Sequence, residues 1–185
     1  FILTGTTLVA AVDAAIGGKS AVDVGNIKNS VGLFTKPLVT VIDLLSLHTL
    51  KSDQIREGLV EAYKTGLVFD AKLCAYMRDN IRELNKGSVV HLSEVLARSA
   101  AAKCHVVSID FRERDLRRIL NLGHTYGHAV ESYNNYTISH GMAVAQGMLV
   151  AISISHGRGL MSGELARDSL ETVKMICPKP VKLPT

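Results

Sequence analysis

Residues 37–64 read PLVTVIDLLSLHTLKSDQIREGLVEAYK, and the spacing of apolar residues changes within this stretch. After Pro37, residues 38–43 are rich in β-branched side chains and predict a buried strand. From Ser52 onward, apolar residues recur at intervals of three and four, which is the period of a helix that Ser52 or Asp53 could cap. The chain is therefore predicted to pass here from α/β to helical structure.

The regions on either side of this stretch differ in the same way. The first fifty residues are the richest in glycine and β-branched side chains, and strand signals are nearly absent after residue 51. Helical periodicity predicts further helices over residues 71–83, 92–108, 115–133, 141–156 and 164–175. We predict an α/β portion over residues 1–50, then an all-α helical domain over residues 51–185, in a chain that is mainly α.

The composition is that of a folded protein and favours small anionic ligands. The chain has 185 residues, 47% of them hydrophobic and 21% charged, with a formal net charge of +4. These proportions argue against a disordered chain. Apart from four arginines between positions 112 and 118, the basic residues are dispersed, and only nine Tyr and Phe could stack on bases. We therefore expect an anionic small molecule as ligand and no nucleic acid.

Neither a membrane segment nor a disulfide framework is predicted. The longest weakly polar run, residues 143–154, is shorter than the roughly 18 to 20 apolar residues that cross a bilayer. Three widely spaced cysteines without a CxxC pair argue for a reducing, cytoplasmic location. The chain begins at Phe1 without a signal sequence, and we expect it to be a piece of a longer protein.

Two histidines are the first candidates for chemistry. His124 and His128 stand four residues apart, so on a helix their rings share one face. On the same predicted helix, Asn121, Arg117 and Glu113 extend this face as a polar stripe. The stripe could be a solvent-exposed face, but solvent faces favour Lys and Glu, whereas this one combines an acid, a cation, an amide and two imidazoles. A lined pocket is the favoured interpretation.

The histidine spacing also suggests a metal. A zinc protease of the HExxH type is disfavoured because Thr125 stands where that motif has its glutamate. A catalytic zinc commonly takes three protein ligands and leaves one position open, and His140 and Glu61 are both candidates for a further ligand. Glu61 and Lys64 could equally form an ordinary surface ion pair one helical turn apart.

The segment Gly17-Gly18-Lys19 is a candidate anion site, with the pair Lys28-Asn29 following it. Glycines let the backbone approach a phosphate, and lysine supplies a compact charge. A P-loop is excluded because Asp13 stands where its first glycine would be. A glycine turn with a surface lysine is an equally good interpretation.

Taken together, these segments resemble the 3-dehydroquinate synthase family in order and separation. They are residues 6–13 (TTLVAAVD), 17–20 (GGKS), 28–29 (KN), 58–64 (GLVEAYK), 121–128 (NLGHTYGH) and 140–141 (HG). The resemblance implies that residues 1–50 are the end of a Rossmann-like NAD-binding domain. Residues 51–185 would be an incomplete metal- and substrate-binding domain. The family's early strands, its glycine-rich NAD loop and its last helices would lie outside this chain.

The resemblance implies a lyase of the shikimate pathway, which leads to chorismate and the aromatic amino acids. Its substrate, 3-deoxy-D-arabino-heptulosonate 7-phosphate, becomes 3-dehydroquinate and inorganic phosphate. In this family NAD takes a hydride from C5 and later returns it, phosphate leaves by β-elimination, and an internal aldol reaction closes the carbocycle. Zinc, with cobalt as an alternative metal, would polarise the C4 and C5 hydroxyls.

The family's site residues carry over to matching positions of this chain. The metal ligands would be Glu61, His124 and His140. The substrate would be bound by Asp13, Lys19, Asn29, Lys64, Lys103, Arg117, Asn121 and His128. The catalytic residues would be Glu113, His128, Lys64 and Lys19, with proton transfer assigned to Glu113 and His128. The NAD contacts would be Thr6, Thr7, Asp13, Lys28, Ser46, Leu47, His48 and Thr49.

One departure from the family concerns the metal. The family commonly has Glu at the position of Met142, two residues after the third ligand, and its replacement could remove an acceptor that supports the ligands. No reacting group is lost. Two rival interpretations stay open: another sugar phosphate cyclase, making 2-deoxy-scyllo-inosose or an epi-valiolone, and a non-catalytic helical module. A homo-oligomer is expected, with no membrane partner.

Overall fold

Two small sheets precede a set of helices in the computed structural model. It describes residues 1–25 and 27–178, but not the side chains of Asp23 and residues 27–29. The strands are β1 (Ile2–Gly5), β2 (Lys19–Val24), β3 (Ile27–Phe34) and β4 (Val39–Ile42). The α-helices are α1 (Ser52–Phe69), α2 (Ala71–Asp79), α3 (Ile81–Asn85), α4 (Val89–Ile109), α5 (His124–Tyr133), α6 (His140–Gly157) and α7 (Gly163–Ile176). All these strands precede all these helices, so the predicted fold class is confirmed.

The strand predicted over residues 38–43 is present as β4, but it is not buried. β4 pairs in parallel with β1, and Val39 and Val41 are both 44% exposed. A parallel strand becomes buried when neighbours lie on both edges and helices cover both faces. Within the described residues β4 has β1 as its one hydrogen-bonded neighbour, and this explains the exposure.

A β-hairpin was not predicted from the sequence. β2 and β3 pair antiparallel, with Val24 opposite Ile27 and Lys19 opposite Phe34. The signal was the alternation of residues 19–24 followed by Gly25, which adopts a positive φ of 61°. The hairpin places Lys19 at its base, directly after Gly17 and Gly18, so those glycines belong to a turn that leads into a strand.

The predicted helix over residues 115–133 is wrong in its first half. Leu116–Asn121 form a 3₁₀ helix, Gly123 adopts a left-handed φ of 81°, and α5 begins only at His124. The interruption is set by packing against α6, because a Cβ on Gly123 would lie 2.9 Å from the carbonyl oxygen of Val144. The polar stripe from Glu113 to His128 is therefore not one helix face.

The other predicted helices are present with small differences. The helix over residues 71–83 is divided at Asn80, whose side chain donates to the carbonyl of Tyr76 at 2.9 Å. The residue before α1 is Lys51, and its N–H donates to Gln54 Oε1 at 2.9 Å, so capping by Ser52 or Asp53 is wrong. No helix in the described part of the chain has the length and apolar character needed to span a bilayer.

One core joins the N-terminal segment to the helices and places α1 at its centre. Leu8 and Val12 lie in the same buried cluster as Leu59 of α1 and Met148 of α6. Gly58 allows this approach, because a Cβ there would clash with the side chain of Leu8. Residues 58–66 of α1 are all buried, so the polar side chains among them must find partners inside the protein.

Candidate active site

Three helices bring one carboxylate and two imidazoles together. Glu61 lies in the middle of α1, while His124 and His140 are the first residues of α5 and α6. Glu61 Oε1 is 3.8 Å from His124 Nε2 and 3.3 Å from His140 Nε2. The ligand atoms of all three lie within 4.8 Å of one another. The structure therefore brings together the three residues predicted as metal ligands.

The electrostatics of this cluster suit a divalent cation. Burial acts to raise the pKa of Glu61, but Lys64 and the two histidines outweigh it, so the pKa lies below its usual range and the carboxylate stays ionised. Burial, with help from Lys64, lowers the pKa of His124 to about 4, so its ring is neutral at pH 7. The hydrogen bond with Glu61 raises the pKa of His140. An ionised carboxylate with imidazole nitrogens is a donor set that zinc and cobalt accept.

Lys64 is buried and links the metal cluster to Asp13. Its ammonium lies 2.5 Å from Glu61 Oε2 and 3.8 Å from Asp13 Oδ2, and these two carboxylates raise its pKa against the effect of burial. Glu61 and Lys64 are each 1% exposed, which excludes the surface ion pair considered from the sequence.

Asp13 also contacts Lys103, which α4 contributes. The Lys103 ammonium touches both the carboxylate and the backbone carbonyl of Asp13. Burial acts to raise the pKa of Asp13, but Lys64 and Lys103 hold it below its usual range. Burial lowers the pKa of Lys103. Asp13 is thus an ionised carboxylate between two lysines, which fixes both ammonium groups beside the cluster.

A second group of polar side chains, built around Glu113, faces the group built around Asp13. Glu113 contacts the Lys19 ammonium with one carboxylate oxygen and accepts a 2.8 Å hydrogen bond from Asn121 Nδ2 with the other. Glu113 adopts a left-handed φ of 54°, a conformation that non-glycine residues take at some cost in energy. This backbone conformation aims its side chain back toward Lys19.

Arg117 is buried rather than presented to solvent. It is 3% exposed, and its Nη1 donates to the carbonyls of Gly17 at 3.0 Å and Phe111 at 2.7 Å. Gly17 has a φ of 111°, and a Cβ there would clash with the guanidinium. The glycine turn before Lys19 is therefore packed against an arginine, so it is not a bare surface loop.

These side chains line a cavity of about 600 Å³ between the hairpin and the helices. Four cations line it, Lys19, Lys64, Lys103 and Arg117, together with two acids, Asp13 and Glu113. Asn121 and His124 also reach it, so the lined pocket predicted from the stripe is present although the stripe is not one helix. The excess of two positive charges favours an anionic ligand.

His128 lies on the far side of the imidazoles. It is exposed, and its ring centroid is 5.5 Å from that of His124 and 6.1 Å from that of His140. His124 and His128 do share one face of α5, as their spacing predicts.

The residues predicted to contact NAD lie mostly at one edge of the parallel sheet. Thr6 and Thr7 follow β1, and residues 44–49 form a 3₁₀ helix after β4. Gly5 pairs with Ile42, so the carboxyl ends of both strands meet, which is where open α/β sheets bind ligands. Leu47 is 2% exposed and belongs to the core, so its side chain is not available to a cofactor. The side chains of Lys28 and Asn29 lie outside the described part.

Sequence profiles of the 3-dehydroquinate synthase N-terminal and C-terminal domains match residues 1–57 and 58–183. The chain belongs to the 3-dehydroquinate synthase family. It is 44% identical over 172 residues to the 3-dehydroquinate synthase of Corynebacterium diphtheriae, covering 92% of this chain and 47% of that relative. The enzyme of Solibacter usitatus is 39% identical over 176 residues, covering 95% and 49%. The chain thus spans about half the length of these relatives, and its division at residue 50 stays a prediction.

Two solved structures share the fold. A 2-epi-5-epi-valiolone synthase from Streptomyces hygroscopicus, with NAD⁺ and Zn²⁺ bound, matches with a TM-score of 0.91 at 28% identity, covering 100% of this chain and 51% of that one. A 2-deoxy-scyllo-inosose synthase, complexed with carbaglucose-6-phosphate, NAD⁺ and Co²⁺, matches with a TM-score of 0.89 at 28% identity, covering 99% and 51%.

Sequence reasoning missed two residues that support this site. Asp110 accepts hydrogen bonds from the backbone N–H groups of Arg114, Asp115 and Arg117, at 2.9, 2.8 and 3.1 Å. Glu131 Oε1 lies 3.3 Å from His140 Nδ1. An acid at the end of α4 and an acid one turn after His128 were visible in the sequence, but the irregular backbone that brings their partners back to them was not.

Met142 borders a small recess formed by Asp53, Arg56, Glu57, Ser139 and the Cys177-Pro178 pair. The expected loss of an acceptor at Met142 stays a prediction. In this structure the acceptor beside His140 is Glu131 of α5.

Proposed function

We propose that this chain is part of a 3-dehydroquinate synthase, a lyase that converts 3-deoxy-D-arabino-heptulosonate 7-phosphate to 3-dehydroquinate and phosphate. The proposal rests on one observation. Lys64 contacts Glu61 of the Glu61, His124 and His140 cluster, and it also lines the cavity that carries the other cations. Curated relatives 38–44% identical to this chain bear this enzyme's name, which supports the choice among cyclases.

Charge in the cavity supports an acidic sugar phosphate as substrate. Such a molecule carries a carboxylate and a phosphate, and the cavity offers four cations against two acids. Lys64 and Lys103 share Asp13 as a partner, while Lys19 and Arg117 both border the turn formed by Gly17 and Gly18. We assign the two anionic groups of the substrate to these two pairs of cations.

Glu113 and His128 are proposed to hold or move protons. Glu113 is kept at the cavity by Lys19 and Asn121, so a proton on its carboxylate would lie next to a bound substrate. The ring of His128 lies edge-on to that of His124 and tilted to that of His140, where it could pass a proton to a group held by them. Both side chains are held by contacts with other residues of the site, which suits groups that must keep their positions during proton transfer.

Two cofactors are implied by the family and by the ligands of the solved cyclases. Glu61, His124 and His140 would hold a divalent metal, zinc or cobalt, which supplies Lewis-acid polarisation of substrate hydroxyls. NAD would supply transient oxidation, and Thr6, Thr7 and residues 46–49 lie at the sheet edge where it would bind. The chain's own contribution is to hold these groups around one cavity.

The test is substrate choice by the full-length enzyme. Phosphate release is measured with 3-deoxy-D-arabino-heptulosonate 7-phosphate, with glucose 6-phosphate and with sedoheptulose 7-phosphate. We expect release with the first substrate alone. Preference for either of the others would instead support an inosose- or valiolone-forming cyclase, which are the activities named for the two solved structures. No release with any of them, in a protein that also lacks bound metal, would support a non-catalytic module.

A further inference from the structure

The ring of His140 lies between two buried carboxylates, one at each nitrogen. Its Nε2 is 3.3 Å from Glu61 Oε1, and its Nδ1 is 3.3 Å from Glu131 Oε1. The side chain of Glu131 is 4% exposed and that of Glu61 is 1% exposed, whereas the side chain of His140 is 38% exposed. His140 begins α6, and its ring also lies beside those of His124 and His128, with centroids 5.2 and 6.1 Å away.

The other histidine of the cluster is held in the same way. His124 Nε2 points at Glu61, and its Nδ1 lies 3.3 Å from the backbone carbonyl of Leu122. An oxygen that accepts a hydrogen bond from Nδ1 fixes the proton on that nitrogen, and Nε2 then presents its lone pair. Both rings therefore direct Nε2 at one point beside Glu61, but His124 uses a backbone oxygen where His140 uses Glu131.

A second metal site at Glu131 is the competing interpretation. His128, Glu131 and His140 also have ligand atoms within 4.8 Å of one another. If both groups bound metal at once, each nitrogen of His140 would bind its own ion. The ring would then have to be an imidazolate, with no proton on either nitrogen. A carboxylate that accepts from Nδ1–H needs no such species, and it explains why Glu131 is buried beside that nitrogen.

We infer that Glu131 is a positioning residue that fixes the tautomer and orientation of His140 for metal binding. This inference rests on the proposed metal centre. The substitution that removes the acceptor while keeping the volume is Glu131→Met. Glu131→Gln keeps an oxygen in the same place without the charge. Val130→Ala is the matched control, because Val130 is the neighbouring buried residue of α5.

The experiment is Co²⁺ titration of the full-length enzyme, with affinity taken from chelator competition and coordination from the visible absorption bands. Loss of a group that orients a ligand typically weakens metal binding roughly 10- to 100-fold. We expect a loss in this range and an altered spectrum for Glu131→Met, a smaller loss for Glu131→Gln, and wild-type binding for Val130→Ala.

Three outcomes would overturn the inference. Wild-type affinity and spectrum in Glu131→Met would remove the positioning role while leaving the metal centre intact. Two cobalt ions per wild-type chain, with one lost in Glu131→Met, would make Glu131 a ligand of its own site. A wild-type enzyme that binds no cobalt would overturn the metal centre and the positioning role together.

Discussion

At the level of single residues, the four cations of the cavity are held by different partners. Lys64 and Lys103 contact Asp13, Lys19 contacts Glu113, and Arg117 donates to two backbone carbonyls. A cation in contact with a carboxylate binds an added anion less strongly than one whose hydrogen bonds go to backbone carbonyls. Arg117 is therefore the residue whose chemistry should be hardest to replace.

Arg117→Lys should lower kcat/KM more than its conserved charge suggests. The guanidinium donates to Gly17 and Phe111 through Nη1 and keeps further N–H groups for a ligand, whereas a lysine ammonium must choose between them. Each lost charge-assisted contact is worth roughly 1.5 to 3 kcal/mol, or about one to two decades in kcat/KM.

We would measure kcat/KM of the full-length enzyme by steady-state kinetics and its stability by urea unfolding. Arg112→Lys, at an exposed arginine of the same loop, should behave as wild type. Reduced stability with unaltered kcat/KM for Arg117→Lys would mean that Arg117 only joins the glycine turn to the loop.

Lys19 should make activity depend on pH in the mildly alkaline range. Burial, then Arg117 and Lys103, lower its pKa to about 8, while Asp13 and the contact with Glu113 favour the charged form. Below pH 8 the ammonium is charged and can bind an anion, and above pH 8 that charge is lost. We therefore expect kcat/KM to fall as pH rises through about 8.

The matched variant for this prediction is Lys19→Arg, because a guanidinium stays charged throughout this range. Its kcat/KM should no longer fall near pH 8, whereas Lys72→Arg, at an exposed and distant site, should leave the profile unchanged. An unchanged alkaline limb in Lys19→Arg would assign the titration to another group.

At the level of elements, the segment between α4 and α5 contributes three of the polar side chains that line the cavity. It carries Glu113, Arg117 and Asn121, and it contains a left-handed residue at Glu113 and a 3₁₀ helix. Backbone hydrogen bonds from this segment lower the pKa of Asp110, so its carboxylate stays ionised near neutral pH. Asp110 therefore holds the shape of a loop that has little regular structure.

Asp110→Ala should lower kcat/KM, because three backbone N–H groups lose their acceptor and Glu113 and Arg117 lose their fixed positions. Asp115→Ala is the control, since Asp115 lies in the same loop and makes no capping hydrogen bond with its side chain. Steady-state kinetics should show a clear loss of kcat/KM in Asp110→Ala and a wild-type value in Asp115→Ala. Equal kinetics would show that the loop keeps its shape without Asp110.

The same segment shows what the sequence could and could not predict. Periodicity, together with the Gly, Asn and Ser residues between the helices, predicted α4, α6 and α7 to within three residues at each end. It failed at Gly123, whose left-handed turn is dictated by contact with Val144 of α6. Likewise, the spacing of Glu61 and Lys64 is one helical turn whether the pair is exposed or buried, so the sequence could not predict their burial. The contact of Gly58 with Leu8 shows that α1 is central.

At the level of the whole molecule, the metal cluster ties together helices that are far apart in sequence. Glu61, His124 and His140 come from α1, α5 and α6, and α1 and α6 also share the buried core of the chain. An ion that binds the folded arrangement and not the unfolded chain stabilises the fold by mass action. Metal binding and folding are therefore expected to be coupled.

Zinc should raise the unfolding free energy by about 2.7 kcal/mol when its free concentration is 100 times its dissociation constant. The measurement is urea unfolding of the full-length enzyme with buffered zinc and with a chelator. In His140→Ala the difference between these two conditions should largely disappear, because one of three ligands is gone. In His105→Ala, at an exposed histidine of α4, it should persist. An equal response to zinc in His140→Ala would place the stabilising ion elsewhere, and the cluster would then be a hydrogen-bonded group of buried side chains that holds three helices together without a metal.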